Sequence, residues 1–254
     1  MILSIASQKG GTGKTSTAIS LAAGLARRGK KILLVDVDSQ ANSSKVLLHN
    51  YTDLKKDDTI YKAILERGEM PIHETHVPGL FIAPSHILLS NTDIELTTAK
   101  DHREERLKKE LDKVRDHFDH VIIDCPPALS WLTINAFTAS DSVLVTVSPG
   151  YFELDSIVQI GKVLVEVKQY FNPHLSLAGF LFTMCDPTIN SKTSLKLLRQ
   201  TYPDQVFRTI IPRNTDLRDA HFNRVDIFTF NAASKSAMAY EALIKELFDD
   251  QNTQ

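Results

Sequence analysis

The sequence predicts an α/β fold: a doubly wound, mostly parallel sheet with helices on both faces. Short, nearly continuous apolar segments alternate with longer segments in which apolar residues recur at helical spacing. Strands that are apolar throughout are typical of a parallel sheet covered on both faces. No linker rich in Pro, Gly or Ser divides the 254 residues, so we predict one domain, 1–254.

The predicted elements follow this alternation along the chain. Residues 2–6 form the first strand and 15–28 the first helix, with Gly29 where a C-terminal cap belongs. Further strands are predicted at 31–35, 80–84, 120–124, 142–147, 178–184 and 206–212. Further helices are predicted at 59–69, 100–117, 153–170 and 234–249. Segment 100–117 interleaves seven basic and six acidic side chains, which is typical of a solvated helix face with i,i+4 ion pairs.

Composition and charge exclude several function classes. The net charge of −2 gives no global attraction to nucleic acid or anionic membrane, so such binding would need a local patch. Two cysteines, far apart in sequence, exclude a disulfide framework and suit a reducing compartment. No apolar run reaches transmembrane length and no basic leader precedes an apolar stretch. We therefore expect a cytoplasmic protein.

A glycine-rich turn after the first strand predicts a phosphate-binding loop. The pattern G-x-x-x-x-G-K-[ST] ends at Gly13, Lys14 and Thr15, with Gln8 in place of the first glycine. Glycines allow the backbone N–H groups to approach an anion closely at the N-terminus of the following helix. Lys14 would reach the β- and γ-phosphates of a nucleotide, and the Thr15 hydroxyl would bind Mg²⁺. The turn also carries a second lysine, Lys9.

Three acidic residues follow strands of the same predicted sheet. Asp36 and Asp38 come at the end of the second strand, and Asp124 ends the strand "HVIID". Ligands of open α/β sheets bind at the carboxyl ends of the strands, so these acids are expected to converge on the phosphate loop. Mg²⁺ bound to phosphates also draws on one or two carboxylates.

Three segments carry a resemblance to a known family. They are "KGGTGKTST" at 9–17, "VDVDSQAN" at 35–42 and "IIDCPPALSWLTINAF" at 122–137. Together they resemble the deviant Walker-box ATPases of the partition (ParA) group, relatives of the Min-system and nitrogenase iron proteins. The likeness extends from Ile2 to about Leu247 and includes "TIIPRN" at 209–214.

The resemblance implies a role for each matching residue beside the phosphates. Lys9 matches the signature lysine that crosses a dimer interface to the nucleotide of the partner subunit, whereas Lys14 serves its own subunit. Asp38 matches the acid that orients or activates the attacking water, and Asp124 matches the acid that holds Mg²⁺ through water. The implied catalytic residues are Lys9, Lys14 and Asp38. The implied metal-binding residues are Thr15, Asp38 and Asp124.

The resemblance also implies the remainder of an ATP site. Ser16 would add a hydroxyl near the α-phosphate. Pro212 and Asn214 match the segment that contacts adenine, although a turn-forming role explains Asn214 equally well. The implied nucleotide-binding residues are Lys9, Gly10, Gly11, Thr12, Gly13, Lys14, Thr15, Ser16, Pro212 and Asn214. The chain departs from the family at Ser39, where Pro is usual, and at 220–233, which lacks a glycine-proline pair.

The function that the resemblance implies is a positioning switch. ATP would join two copies into a homodimer that binds nonspecific DNA on the nucleoid, and an adaptor protein would stimulate slow, Mg²⁺-dependent hydrolysis to ADP and phosphate. The cargo could be a plasmid, a chromosome region or a protein compartment such as a carboxysome. Segment 185–235 holds eight Lys or Arg against five Asp or Glu. The candidate DNA contacts in it are Lys192, Lys196, Arg199, Arg208 and Arg224.

Other functions of proteins with this fold remain alternatives. The acidic ending "KELFDDQNTQ" argues against a membrane-bound Min-like protein, because anionic lipid would repel it. An iron–sulfur electron donor needs cluster cysteines, and neither Cys125 nor Cys185 lies in a cluster motif. The alternatives that remain are a P-loop metabolic enzyme and a Min-like regulator that acts on a protein partner without binding DNA.

Overall fold

One sheet forms the centre of the structure, a computed structural model that describes residues 1–99, 101–150 and 153–249. Within these ranges the sheet has eight strands. They are β1 (Ile2–Ala6), β2 (Ile32–Asp36), β3 (His73–Glu74), β4 (Leu80–Ala83), β5 (His120–Asp124), β6 (Ser142–Val147), β7 (Ser176–Cys185) and β8 (Val206–Pro212).

The order of the strands places β1 near the middle of the sheet. The order is β3-β4-β2-β5-β1-β6-β7-β8, and each neighbouring pair is parallel except β3 with β4. The chain builds one half of the sheet and then the other, so a topological switch point lies beside β1, where open α/β sheets bind ligands. The register sets Asp36 of β2 opposite Asp124 of β5, which brings the two acids side by side.

Helices connect the strands. They are α1 (Lys14–Arg27), α2 (Asn42–Leu47), α3 (Ile60–Ile64), α4 (Thr92–Thr98), α5 (Arg106–Leu111), α6 (Trp131–Ala139), α7 (Glu153–Tyr170), α8 (Ile189–Thr201), α9 (Thr215–Phe222), α10 (Ile227–Asn231) and α11 (Lys235–Ile244). A wider, π-helical turn at Lys245–Asp249 continues α11. In the described ranges, none of the helices has the length and apolarity needed to cross a membrane.

Apolar side chains from the two faces of the sheet form two cores. On β1, Leu3 and Ile5 belong to the core shared with α1 and α11, whereas Ile2 and Ala6 belong to the core shared with α6 and α7. The division follows the alternation of side chains along a strand. Helices therefore cover both faces, and the predicted doubly wound α/β fold is confirmed.

The structure shortens two of the predicted helices. Segment 59–69 is helical only over α3, and segment 100–117 forms the regular helix α5 followed by a single 3₁₀ turn. His102 has a left-handed φ of 36°, which interrupts any helix through that position. The Asn135 side chain of α6 then accepts a hydrogen bond from the Leu107 N–H at 3.1 Å. Contact with α6 thus fixes where α5 starts. The spacing of apolar residues in the sequence does not reveal this starting point.

In the described part of the chain, six short elements and one longer helix, the 13-residue α8, are not predicted from the sequence. They are β3, α2, α4, α6, α8, α9 and α10. Strand β3 has only two residues, and α2 and α10 have six and five. Segments this short carry less than two turns of periodic pattern, so their structure depends on tertiary contacts.

Candidate active site

The phosphate loop runs between β1 and α1 and has the backbone shape of an anion cradle. Gly11 and Gly13 have φ values of 77° and 82°, in the left-handed region that favours glycine. Gly13 is the N-cap of α1, and no side chain caps that helix end. The first N–H groups of α1 therefore point toward the loop, where the helix dipole favours an anion.

Two threonines from neighbouring strands hold this loop in place. The Thr183 hydroxyl of β7 donates to the Thr12 carbonyl at 2.7 Å. The Thr12 and Thr146 hydroxyls are hydrogen-bonded to each other at 3.0 Å. Thr183 and Thr146 carried no signal in the sequence, because their function depends on strands that lie far from the loop along the chain.

Lys14 is nearly buried beneath the loop. Its Nζ donates to the Lys9 carbonyl at 3.1 Å. Burial lowers the pKa of Lys14, while the charges of Asp124 and Asp38 oppose this shift. Both acids are therefore close enough to act on the ammonium group, and the expected convergence on the phosphate loop is present.

Asp124 is fully buried at the end of β5. The Ser43 hydroxyl donates to Oδ2 at 2.7 Å. Among the described residues, the buried Oδ1 has no hydrogen-bond partner. Burial raises the pKa of Asp124 to about 6, against the hydrogen bonds of Ser43 and Thr15. A buried carboxylate oxygen without a partner beside the Thr15 hydroxyl is the arrangement that a hydrated Mg²⁺ would satisfy.

Asp36 is equally buried but is occupied by protein donors. Its Oδ2 accepts the Ser44 N–H at 2.9 Å and the Ser44 hydroxyl at 2.7 Å. Its Oδ1 accepts the Asp38 N–H at 3.2 Å. Burial and the nearby charge of Asp124 raise the pKa of Asp36 well above its ordinary value. Asp36 therefore organises the start of α2 and the turn that carries Asp38.

Asp38 lies in a tight turn after β2. Its Oδ1 accepts the Gln40 N–H at 2.9 Å, and its carbonyl accepts the Ala41 N–H at 2.8 Å. Ala41 takes a left-handed φ of 53° to complete the turn. The turn closes with Ser39 in the place of the family proline, since backbone hydrogen bonds define its geometry.

A cavity of about 470 Å³ opens beside the phosphate loop. Its lining includes Gly13, Ser16, Pro212 and Asn214, so the structure brings together these four predicted residues. Asn214 also caps α9, where its Oδ1 accepts the Asp216 N–H at 2.9 Å. The cavity lining that the sequence analysis missed is Thr183, Met184, Ile211, Arg213, Thr215, Leu217, Arg218, His221 and Tyr240.

The donors present fit Mg²⁺ bound together with a nucleotide. In the part of the chain that the structure describes, no group of three or more His, Cys, Asp or Glu side chains could hold a metal ion. Mg²⁺ differs from metals that need such a cage, because it keeps several waters and binds through phosphates and one or two protein oxygens. Thr15 and Asp124 would be the residues that supply those oxygens.

The candidate DNA-binding residues fall into separate places. Lys192, Lys196 and Arg199 are exposed along α8 and line a shallow groove. Arg208 lies close by, because its carbonyl accepts a hydrogen bond from Arg199 at 3.4 Å, but its guanidinium pairs with Glu246. Arg224 lines a different cavity, which includes Lys45 and Phe222.

The fold and the site together define a P-loop ATPase with a nucleotide cavity beside a phosphate loop. A family model described as an AAA domain matches residues 1–177. The chain is 36% identical to the sporulation initiation inhibitor protein Soj of Bacillus subtilis over 249 residues, which cover 97% of each chain. It is 38% identical to the chromosome partitioning protein ParA of Myxococcus xanthus over 254 residues, which cover 97% of this chain and 87% of the relative.

Among solved structures, cobyrinic acid a,c-diamide synthase of Mycobacterium smegmatis with bound ADP and magnesium superposes with a TM-score of 0.83. That chain is 30% identical, and the match covers 99% of this chain and 95% of the other. The chain belongs to the ParA family of ATPases, which confirms the resemblance noted in its sequence. It is thus an ATP hydrolase of the partitioning and positioning class that uses ATP and Mg²⁺.

Proposed function

We propose that this chain is an ATP-dependent dimer switch that binds nonspecific DNA in its ATP state and positions a cargo in the cytoplasm. A partner protein would stimulate hydrolysis and so release the switch from the nucleoid. The observation that carries the proposal is the convergence of Lys14, Asp38 and Asp124 on a loop that holds a second lysine, Lys9.

The site residues would promote hydrolysis in two ways: some stabilise the negative charge of the phosphates, and one positions the attacking water. Bound Mg²⁺ would neutralise phosphate charge, with Thr15 as a direct ligand and Asp124 holding its water shell. Lys14 stabilises negative charge on the transferred phosphoryl group in its own subunit. Asp38 orients the attacking water. Since no strong general base faces the phosphate loop in the described ranges, we expect slow turnover.

Lys9 gives the site its dependence on a second subunit. A lysine supplied by the partner can neutralise phosphate charge only when two copies meet face to face. ATP, which has the γ-phosphate, would then stabilise the dimer more than ADP does. DNA binding would follow the same switch, because dimerisation doubles the basic stripe of Lys192, Lys196 and Arg199.

The M. smegmatis structure bears the name of a metabolic enzyme, so a metabolic function is the competing proposal. The partition proteins are the more similar sequences, at 36% and 38% identity against 30%. The exposed basic stripe on α8 also suits a polyanion better than a small substrate. We therefore favour the DNA-binding switch.

Fluorescence anisotropy of a labelled nonspecific duplex tests this function. The protein is titrated with ATP, with ADP and without nucleotide, across a series of salt concentrations. We expect binding only with ATP, and a steep loss of affinity with rising salt. The double variant Lys192→Ala/Lys196→Ala should reduce the salt slope by about 2 to 4 in a dimer, since each lost phosphate contact contributes roughly 0.9.

The matched control is Lys168→Ala, which removes an exposed lysine from the last turn of α7. It should leave both affinity and slope unchanged. The proposed function would be contradicted if the protein bound DNA equally well with ATP and ADP. It would also be contradicted if the ATP dimer did not bind DNA at low salt, a result that would favour action on a protein or a small molecule.

A further inference from the structure

The main chain of Asp38 is held from two sides by buried side chains. On one side, its N–H donates to Asp36 Oδ1 at 3.2 Å. On the other side, the Ser85 hydroxyl donates to its carbonyl at 2.6 Å. Asp36 and Ser85 both have 0% exposure. Water therefore cannot take the place of either hydrogen bond at low cost.

A third side chain joins these two contacts into one network. The Ser44 hydroxyl donates to Asp36 Oδ2 at 2.7 Å and accepts the Ser85 N–H at 2.9 Å. Ser44 also donates its own N–H to the same carboxylate oxygen at 2.9 Å. Every donor in this network meets an acceptor, which is the condition under which a buried polar network rigidifies its surroundings.

The network ties Asp38 to strands on both sides of its turn. Asp36 ends β2, and Ser85 follows the end of β4, the neighbouring strand. Asp38 itself lies beyond the last residue of β2, where a turn without such support would be mobile. The position of its carboxylate relative to Lys14 is therefore determined by two strand ends and not by the loop alone.

The residue types fit this task. Asp36 accepts three hydrogen bonds, from the N–H groups of Asp38 and Ser44 and from the Ser44 hydroxyl. An asparagine would have to turn an NH₂ group toward one of these donors. The Ser85 hydroxyl donates to the Asp38 carbonyl, whereas the Ser85 N–H donates to the Ser44 hydroxyl. Alanine would therefore remove only the contact with Asp38.

We propose that Ser85 and Asp36 are positioning residues for ATP hydrolysis, which fix the main chain of Asp38 so that its carboxylate addresses the attacking water. The inference rests on the proposed hydrolytic role of Asp38. Ser85 touches neither the phosphate loop nor the nucleotide cavity, so it acts through Asp38 and not on ATP.

The test compares ATP affinity with the rate of hydrolysis in a single turnover. Ser85→Ala should lower the hydrolysis rate about tenfold, because small displacements of a catalytic group cost up to 10²-fold in rate. Its affinity for ATP should stay within about twofold, since the phosphate loop is intact. Ser85→Cys retains a weak donor and should hydrolyse at an intermediate rate. Asp36→Asn should lose more than Ser85→Ala.

The matched control is Ser236→Ala, because Ser236 is equally buried and its hydroxyl has no hydrogen-bond partner among the described residues. It should keep the parent rate. If Ser85→Ala does not fold, as judged by circular dichroism, the Ser85→Cys rate decides the question alone. A parent rate in whichever Ser85 variant folds would overturn the inference.

A double variant separates this inference from the role of Asp38. If Ser85 acts through Asp38, then Ser85→Ala should have no further effect on hydrolysis in an Asp38→Ala background. A further tenfold loss in that background would show that Ser85 acts by another route. Hydrolysis at the parent rate in Asp38→Ala itself would instead contradict the proposed role of Asp38, whatever the Ser85 variants do.

Discussion

Ser43→Ala removes a buried hydroxyl of α2 that contacts the end of β5, and so tests how Asp124 is stabilised. The Ser43 hydroxyl donates to Asp124 Oδ2 at 2.7 Å, whereas Oδ1 has no hydrogen-bond partner in the described residues. A hydrogen bond to an ionised group contributes roughly 1.5–3 kcal/mol to stability. For a chain of this size, each kcal/mol moves Tm by about 2–4 °C. The variant without nucleotide should therefore melt about 3–12 °C lower at pH 7.5.

The loss should depend on pH with a definite sign. The pKa of Asp124 is raised to about 6 in the folded protein, mainly by burial. A carboxyl with a raised pKa destabilises the fold as the pH rises through that pKa. Ser43→Ala raises this pKa further, so the difference in Tm should open above about pH 6 and shrink at pH 5, where both proteins carry a protonated Asp124.

Differential scanning calorimetry at pH 5 and pH 7.5 provides the measurement. The control is Ser20→Ala in α1, because Ser20 is 1% exposed and its hydroxyl has no hydrogen-bond partner in the described ranges. Its Tm should not fall at either pH. A Ser43→Ala deficit of the same size at both pH values would refute the reasoning, because an uncharged packing contact has no such pH dependence.

Three further predictions concern the nucleotide site. Lys14→Ala should abolish ATP binding in a fluorescent-nucleotide titration, while its circular dichroism spectrum stays that of the parent; retained micromolar affinity would contradict the assigned role. Gly13→Ala should weaken ATP binding about five- to thirtyfold, because a left-handed φ costs a non-glycine residue about 1–2 kcal/mol. Gly29→Ala is its control, since Gly29 has a similar left-handed φ of 79° but lies beyond the far end of α1, where a Cβ meets nothing within 4 Å; its ATP affinity should stay that of the parent. The Mg²⁺ affinity of the ATP complex should fall more steeply with decreasing pH in the parent than in Asp124→Asn, since Asp124 must be ionised to hold the metal's water shell; the same pH dependence in both proteins would remove Asp124 from the metal site.

The fold was predictable because its strongest signals are local. Strand β1 is five apolar or small residues, and α1 has apolar residues at helical spacing over 14 residues. Long, periodic elements of this kind are recognised without knowledge of their neighbours. The short α2 gives no such signal. Its start is fixed by contacts of Ser43 and Ser44 with the carboxylates at the ends of β5 and β2.

The candidate site likewise contains residues that the sequence predicts and residues that only the structure identifies. Lys14 and Thr15 stand in a contiguous pattern whose chemistry can be read directly, and Asp38 and Asp124 follow recognisable strands. Ser85 and Thr183 stand in no motif, because each becomes important only when the sheet brings it beside Asp38 or Thr12. Sequence patterns therefore predict the residues that meet the nucleotide, and the structure adds those that hold them in position.

In the proposed switch, Lys9 serves the nucleotide of a second subunit. Size-exclusion chromatography with multi-angle light scattering tests it most directly, with Asp38→Ala protein so that ATP persists during the run. We expect a dimer with Mg²⁺ and ATP, a monomer with ADP, and a monomer with ATP once Lys9→Ala is added, although that double variant still binds ATP. If the Lys9→Ala/Asp38→Ala protein dimerises with ATP as well as Asp38→Ala does, Lys9 does not serve the nucleotide of the second subunit.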